Sequence, residues 1–247
     1  MRIDLNADVG EGVDDVSIFP LVTSINVACG AHAGDVETMK RCVAEARRLG
    51  LALGAHPGYP DREGFGRRPM ELPDEDLVRS LVEQIAALNA IAGQAEVPLQ
   101  HVKPHGALYN LAALDENLAA TVARAVREAA PGRRIIGPPG SRLLAAAADA
   151  GLLGAAEAFA DRGYRSDGTL APRGSPGALI EDPALAAAQA VAVATRNTVA
   201  TVDGPEIRIR AETVCLHADT PGALAIARAV RAALAKAGVE VAPLASG

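Results

Sequence analysis

Residues 24–58 read SINVACGAHAGDVETMKRCVAEARRLGLALGAHPG. Ser24–Ala28 is a short apolar run of strand length, and Leu51–Gly54 is a second. Between them, Asp35–Leu49 places apolar residues at helical spacing, with Asp35 in the position of a cap and Gly50 where a helix must stop. A strand, a helix and a strand in so few residues form one parallel unit with a right-handed crossover. This unit recurs along the chain. Ile3–Leu5, Gln100–Val102, Arg134–Ile136, Ala155–Ala160 and Thr213–Leu216 read as further strands, short and apolar as expected for strands buried on both faces. Asp74–Gly93, Asp115–Ala129, Ser141–Ala150, Pro183–Ala194 and Pro221–Ala237 read as helices.

Punctuation supports these boundaries. The run Asp74-Glu75-Asp76 supplies a cap and acids to a helix start, and Asp219-Thr220-Pro221 supplies a cap followed by proline. Gly93, Gly151 and Gly238 sit where helices should end. About seven such units predict an α/β fold closed into a parallel β/α barrel of the TIM type, with an open doubly wound sheet as the alternative. At 247 residues, nearly half of them hydrophobic, the chain is expected to form one domain over residues 1–247. Thr198–Val202 and Ile207–Arg210 are read as either a small hairpin or loop. Pro57–Pro73 and Asp161–Asp182 interrupt the rhythm as long loops, and long ordered loops in compact domains tend to bind ligands.

Composition excludes several classes. The net charge of −6 argues against non-specific binding to nucleic acid or to an anionic membrane. Charges interrupt the Ala-rich stretches, so no membrane span is expected. Cys29, Cys42 and Cys215 form no metal-like spacing and read as free thiols of a reducing, cytoplasmic compartment. The first residues lack the apolar core of a secretion signal. Phosphate-loop, dinucleotide-loop and nucleophile-elbow sequences are absent.

Polar residues gather just after the predicted strands: Asn6 and Asp8, His32, His56, Lys103 and His105, Asp161 and Arg162, His217 and Asp219. Parallel α/β folds bind ligands at the strands' carboxyl ends, so these residues are predicted to converge on one mouth. Lys103, in Val102-Lys103-Pro104-His105-Gly106, would meet an anion there. Asp35 and Asp219 read as helix caps, and His101 as a structural histidine.

Several of these segments resemble one family in the same order. Asp4-Leu5-Asn6-Ala7-Asp8-Val9-Gly10-Glu11, Asn26–Asp35, Gly54–Asp61, Gly64–Arg68, Val102–Asn110, Phe159–Tyr164 and Cys215–Pro221 are similar to motifs of the LamB/YcsF (PxpA) family. Ala218 stands where that family is expected to hold Gly, and Ala7 where it often holds Cys. The resemblance covers essentially the whole chain. It implies a seven-stranded β/α barrel related to polysaccharide deacetylases. It also implies one component of an ATP-dependent 5-oxoprolinase, which hydrolyses 5-oxo-L-proline to L-glutamate together with PxpB and PxpC.

For that chemistry the expected catalytic residues are Asp8 as base or water-orienting group, Lys103 for the oxyanion or phosphate, and His56 and His105 as acid–base groups. Asn6, His32, Asp161, Arg162 and Arg173 are expected at the substrate, with Arg162 or Arg173 clamping its carboxylate and Asp161 orienting Arg162 or Lys103. ATP, with magnesium, is expected as co-substrate of the complex, bound mainly on the partners. No organic cofactor or protein-bound metal is expected, and a homo-oligomer is compatible with the sequence. Two rival readings remain: a metal-dependent amide or N-acetyl hydrolase using Asp8, His32 and His56, and a non-enzymatic subunit that binds a small acid.

Overall fold

The computed structural model describes residues 1–12 and 15–245. Strand β1 (Arg2–Val9) is followed by a short 3-10 turn at Phe19–Leu21 and by β2 (Ser24–Ala28). Then come α1 (Val36–Leu49), β3 (Ala52–His56), α2 (Asp74–Gln94), β4 (Leu99–Val102), α3 (Gly106–Ala112) and α4 (Glu116–Ala129). They are followed by β5 (Arg134–Gly137), α5 (Arg142–Asp149), β6 (Gly154–Phe159) and α6 (Pro183–Arg196). An antiparallel pair, β7 (Thr198–Val199) and β8 (Ile207–Arg208), precedes β9 (Thr213–His217), α7 (Ala223–Lys236) and β10 (Glu240–Val241).

Strands β1 to β6 pair in parallel in chain order, β6 pairs with β9, and β9 pairs back onto β1. The result is a closed, seven-stranded parallel barrel rather than an open sheet. Strand β10 adds to the outer end of β1, matching Arg2 to Glu240 and Ile3 to Val241. Of the runs Thr198–Val202 and Ile207–Arg210, read as a hairpin or loop, Thr198–Val199 and Ile207–Arg208 pair antiparallel, with residues 200–206 between them.

The strands are not apolar on both faces, as their short runs suggested; they alternate. In β1, Leu5, Ala7 and Val9 are buried against the helical layer's apolar core, while Asp4, Asn6 and Asp8 turn into the barrel. Contacts across the bore prove the inward direction. Asn6 of β1 donates to Glu157 of β6 (2.9 Å), and His101 of β4 meets Asn26 of β2 (2.7 Å) over the top of β3. Gly54 of β3 makes that crossing possible, because a Cβ there would collide with the His101 ring. Asn26 in turn donates to Asn6 (2.7 Å) and Asp8 (2.8 Å). Paired in this way, the polar interior meets the requirement that buried polar groups be hydrogen-bonded.

Helix ends mostly follow the sequence signals. Asp35, Asp115, Ser141 and Asp182 each cap a helix through the side chain, and Gly50 closes α1 in the left-handed conformation. Several boundaries differ, and α6 runs two residues past Ala194, to Arg196. Helix α2 runs one residue beyond Gly93, to Gln94, and Pro73, which offers no side-chain bond, takes its N-cap position in place of Asp74. Helix α7 begins at Ala223, so Asp219 caps nothing; it pairs instead with Arg67 and Arg173. Helix α3 had no sequence signal, because it opens on Gly106, a residue that usually ends helices.

Candidate active site

A cavity of about 780 Å³ opens at the carboxyl ends of the strands. Asp8, His56, Lys103, His105, Arg162 and Arg173 line it, as the sequence predicted. So do Glu157, Phe159, Tyr109 and His217. The long loops expected to bind ligands contribute Arg67 from one and residues around Arg165–Arg173 from the other.

Lys103 is the charge centre. Its ammonium lies 2.9 Å from Asp8 Oδ1, 2.9 Å from Glu157 Oε1 and 3.1 Å from Cys215 Sγ, and it is almost fully buried. Burial alone would raise the Asp8 carboxyl, but His56 and Lys103 hold it well below the usual range. Burial would likewise lower Lys103, yet Asp8, Cys215 and Glu157 keep it well above its ordinary value. Glu157 is pushed up by burial and by the Asp8 charge. Phe159 and Tyr109 present their rings to the same ammonium, at 5.1 and 5.9 Å.

A second pair sits beside the first. His217 Nδ1 lies 3.0 Å from Asp161, which also accepts from the His217 backbone N–H (3.0 Å) and the Thr220 hydroxyl (2.7 Å). The ring stacks on Phe159, and its Nε2 is 3.9 Å from Asp8 Oδ2. Asp161 therefore orients His217, not Arg162 or Lys103 as expected. Burial opposes ionisation of Asp161, but His217 and these hydrogen bonds keep its pKa below the usual value.

Three of the expected substrate contacts are absent from the cavity wall. Asn6 lies inside the barrel with its amide committed to Glu157, Thr213 and Asn26. His32 is buried behind the wall against Glu11 and His105, and Asp161 stands behind His217. Arg162 and Arg173 do reach the cavity. Arg162 donates to the carbonyls of Ala171 and Ala178, anchoring the loop that carries Arg173. Burial, with Arg173 and Arg67 nearby, pulls the Arg162 guanidinium down to about 10, which marks a spot where an anion would be welcome.

Reading the sequence missed Glu157 and Glu11 and left His217 undecided. The signal for Glu157 was its place alone among apolar residues in Gly154–Phe159. Glu11 lay hidden between Gly10 and Gly12, a pair that reads as loop. Aromatic scarcity was a further signal: the chain has three Tyr and three Phe, and Phe65, Tyr109, Phe159 and Tyr164 all stand at or beside the site. The cysteines are not nucleophiles here. All are buried, burial pushes Cys29 up to about 12, and burial with Asp8 pushes Cys215 well above its ordinary value.

Fold and site together define a parallel β/α-barrel protein whose working cavity, built on a buried lysine–carboxylate cluster, lies at the strands' carboxyl ends. Residues 3–247 match the LamB/YcsF family, and the chain belongs to it. It is 49% identical over 247 residues to the A subunit of the 5-oxoprolinase of Heliobacterium modesticaldum, covering 98% of this chain and 97% of that protein. The lactam utilization protein of Thermus thermophilus shares its structure with a TM-score of 0.93 and 44% identity, over 99% of this chain and 100% of the other. The barrel is also shared with the deacetylase T48, solved with substrate, at a TM-score of 0.50 and 13% identity over 97% of this chain and 86% of that one. No described helix is long and apolar enough to cross a membrane.

Proposed function

We propose that this chain is the A subunit of a cytoplasmic, ATP-dependent 5-oxoprolinase that opens the lactam of 5-oxo-L-proline to L-glutamate with PxpB and PxpC. The observation that carries the reading is the end-to-end likeness to the A subunit of another 5-oxoprolinase. The cavity supports it: a small acid needs a cationic site for its carboxylate, and a lactam needs a place for developing negative charge.

A lactam carbon is a poor electrophile, so ATP, as its magnesium complex, serves as co-substrate. Transfer of the γ-phosphoryl group to the lactam oxygen releases ADP and leaves an activated imidate. Water adds to that carbon. The ring C–N bond then breaks, nitrogen takes a proton, and a second water releases phosphate from the resulting acyl phosphate. The chain has no phosphate loop, so the nucleotide is held chiefly by the partners.

The residues divide this work. Arg162 and Arg173 receive the carboxylate. Lys103 stabilises the oxyanion. Asp8, kept ionised, orients the water, because a carboxylate held so low is a weak base. His217, fixed by Asp161, takes the water's proton and passes it to the ring nitrogen. His56 and His105 each donate one ring N–H to a backbone carbonyl, of Lys103 and Phe65, which limits them as free proton carriers.

Reconstitution tests the proposal. Mixing the chain with competent PxpB- and PxpC-type partners is expected to give ATP-dependent glutamate release from 5-oxoproline, and no release would overturn it. Loss of that activity in Lys103→Ala and in Asp8→Asn is expected; full activity in both would refute the division of roles.

A further inference from the structure

Four side chains from four successive barrel segments meet beside the cavity: Glu11 after β1, His32 after β2, His56 at the end of β3 and His105 after β4. All four are buried, and one ligand atom from each lies within 4.8 Å of those of the others. Glu11 Oε1 is 3.0 Å from His105 Nδ1, 3.1 Å from His32 Nε2 and 3.6 Å from His56 Nε2, and the two nitrogens of His56 and His105 are 3.0 Å apart.

Hydrogen bonding fixes which of these nitrogens carry protons. His56 Nδ1 lies 2.7 Å from the Lys103 carbonyl, and His105 Nε2 lies 2.8 Å from the Phe65 carbonyl. A carbonyl only accepts, so those two nitrogens bear the N–H groups. In the neutral rings, His56 Nε2 and His105 Nδ1 are then both lone pairs, aimed at each other and at a carboxylate oxygen. Three acceptors at such distances repel unless a positive charge sits among them.

The surroundings keep the rings close. His32 and His105 stack with centroids 3.7 Å apart, so His32 turns out of this parallel arrangement for one ion to lie in both ring planes, and His56 stands edge-on to both. Gly66 packs so tightly that a Cβ would lie 2.9 Å from both the His32 and the His105 side chains. His32 Nδ1 is buried without a partner, so stacking and its Nε2 contact alone set that ring. Backbone carbonyls that fix the tautomer of ligating histidines are the usual outer support of a metal centre. A tetrahedral zinc shell with bonds of ~2.0–2.2 Å separates its ligand atoms by roughly 3.4 Å, a spacing that the observed distances bracket.

We propose that Glu11, His32, His56 and His105 bind one divalent transition-metal ion of the zinc class. Four protein ligands fill a tetrahedral shell, so the ion ties four strand ends together rather than presenting an open coordination position. Histidine-rich donors favour zinc, cobalt or nickel over magnesium or calcium. The set differs from the Asp8, His32 and His56 group suggested by the sequence: Asp8 Oδ2 does lie 3.4 Å from His56 Nε2, but Asp8 groups with Cys215 and His217, and Glu11 takes the carboxylate place beside the three histidines. These four ligands would hold a metal whether or not the chain is part of a 5-oxoprolinase.

The test uses the full chain, purified without a histidine tag and without chelator. Elemental analysis is expected to find about one zinc per chain, or one after incubation with zinc and desalting. Cobalt in its place should give the intense visible absorption of a four-coordinate nitrogen–oxygen site. Chelator should lower Tm, and zinc should restore it. Glu11→Gln, which keeps the side chain's size, is expected to weaken zinc binding at least about 100-fold, beyond what outer-shell changes cost. His105→Ala should abolish the cobalt spectrum; if that variant does not fold, the Glu11→Gln titration decides alone. No stoichiometric zinc, cobalt or nickel after reconstitution, together with a Tm that chelator leaves unchanged, would overturn the proposal and leave a shared proton as the bridging charge. Because the readouts are metal content, spectrum and Tm, this result stands apart from glutamate release in either direction.

Discussion

Lys103 faces two carboxylates, Asp8 and Glu157, each 2.9 Å from its ammonium and each buried. Both acids are largely buried, so removing the ammonium leaves negative charge with little compensation. Lys103→Met keeps the length of the side chain and deletes the charge. It is expected to lower stability by about 3–5 kcal/mol, read by urea unfolding. Adding Asp8→Asn should return part of that loss, because it removes one of the stranded charges. If the double variant is no more stable than Lys103→Met, the two groups are not coupled as the geometry says. Sequence reasoning reached half of this. A lysine at a strand end beside proline and histidine pointed to an anion, and Asp8 was at hand. Glu157 was not found, because Ala155–Ala160 was read as a strand apolar on both faces, and that reading leaves no polar interior for a single acid to face.

The strands carried their message in alternation rather than in length. Asp4, Asn6 and Asp8 in β1, Ser24 and Asn26 in β2, and Thr213, Cys215 and His217 in β9 are residues two apart that share the barrel's inner face. Judged by hydrophobicity, β1 ended at Leu5 and its polar residues were set after it. In the fold it continues to Val9, because polar residues facing a hydrogen-bonded interior are still strand residues. Helices were more legible, since caps and terminal glycines act locally; α3 escaped because Gly106, at φ +56, starts a helix where glycine normally ends one. Its left-handed backbone and the Gly66 carbonyl facing it leave no room for a side chain, so Gly106→Ala should cost about 1–2 kcal/mol or more in urea unfolding. Gly54 tests the interior directly. Its backbone is ordinary, so Gly54→Ala acts only by pushing a methyl into His101, with an expected loss of about 1–3 kcal/mol from overpacking. Combined with His101→Ala, the damage should fall below the sum of the single effects; strict additivity would show that the two residues do not meet.

Closing the sheet gives the molecule a polar axis with acids at both ends, and their opposite shifts predict how it responds to acid. At the closed end, burial raises Asp4, despite hydroxyl donors from Thr23, Ser24 and Thr213. At the cavity end, Asp161 is lowered. A lowered folded pKa means that the ionised form favours folding: the contribution of Asp161 is full above the unfolded value near 3.9 and is lost as pH falls through the folded value. A raised pKa works the other way, so Asp4 favours folding most below that unfolded value and loses this contribution as pH rises through its folded value. Asp161→Asn removes the first effect and spares the second. The variant is expected to melt below the wild-type chain at pH 7, because an amide cannot accept from His217 and Thr220 as the carboxylate does. Below about pH 4 the gap should narrow, as the wild-type carboxyl takes up its proton and surrenders its advantage. Thermal melts of both chains from pH 7 to pH 3 measure this directly. A gap that stays constant across the range would mean that Asp161 holds His217 by shape alone, and that its charge adds nothing to the fold.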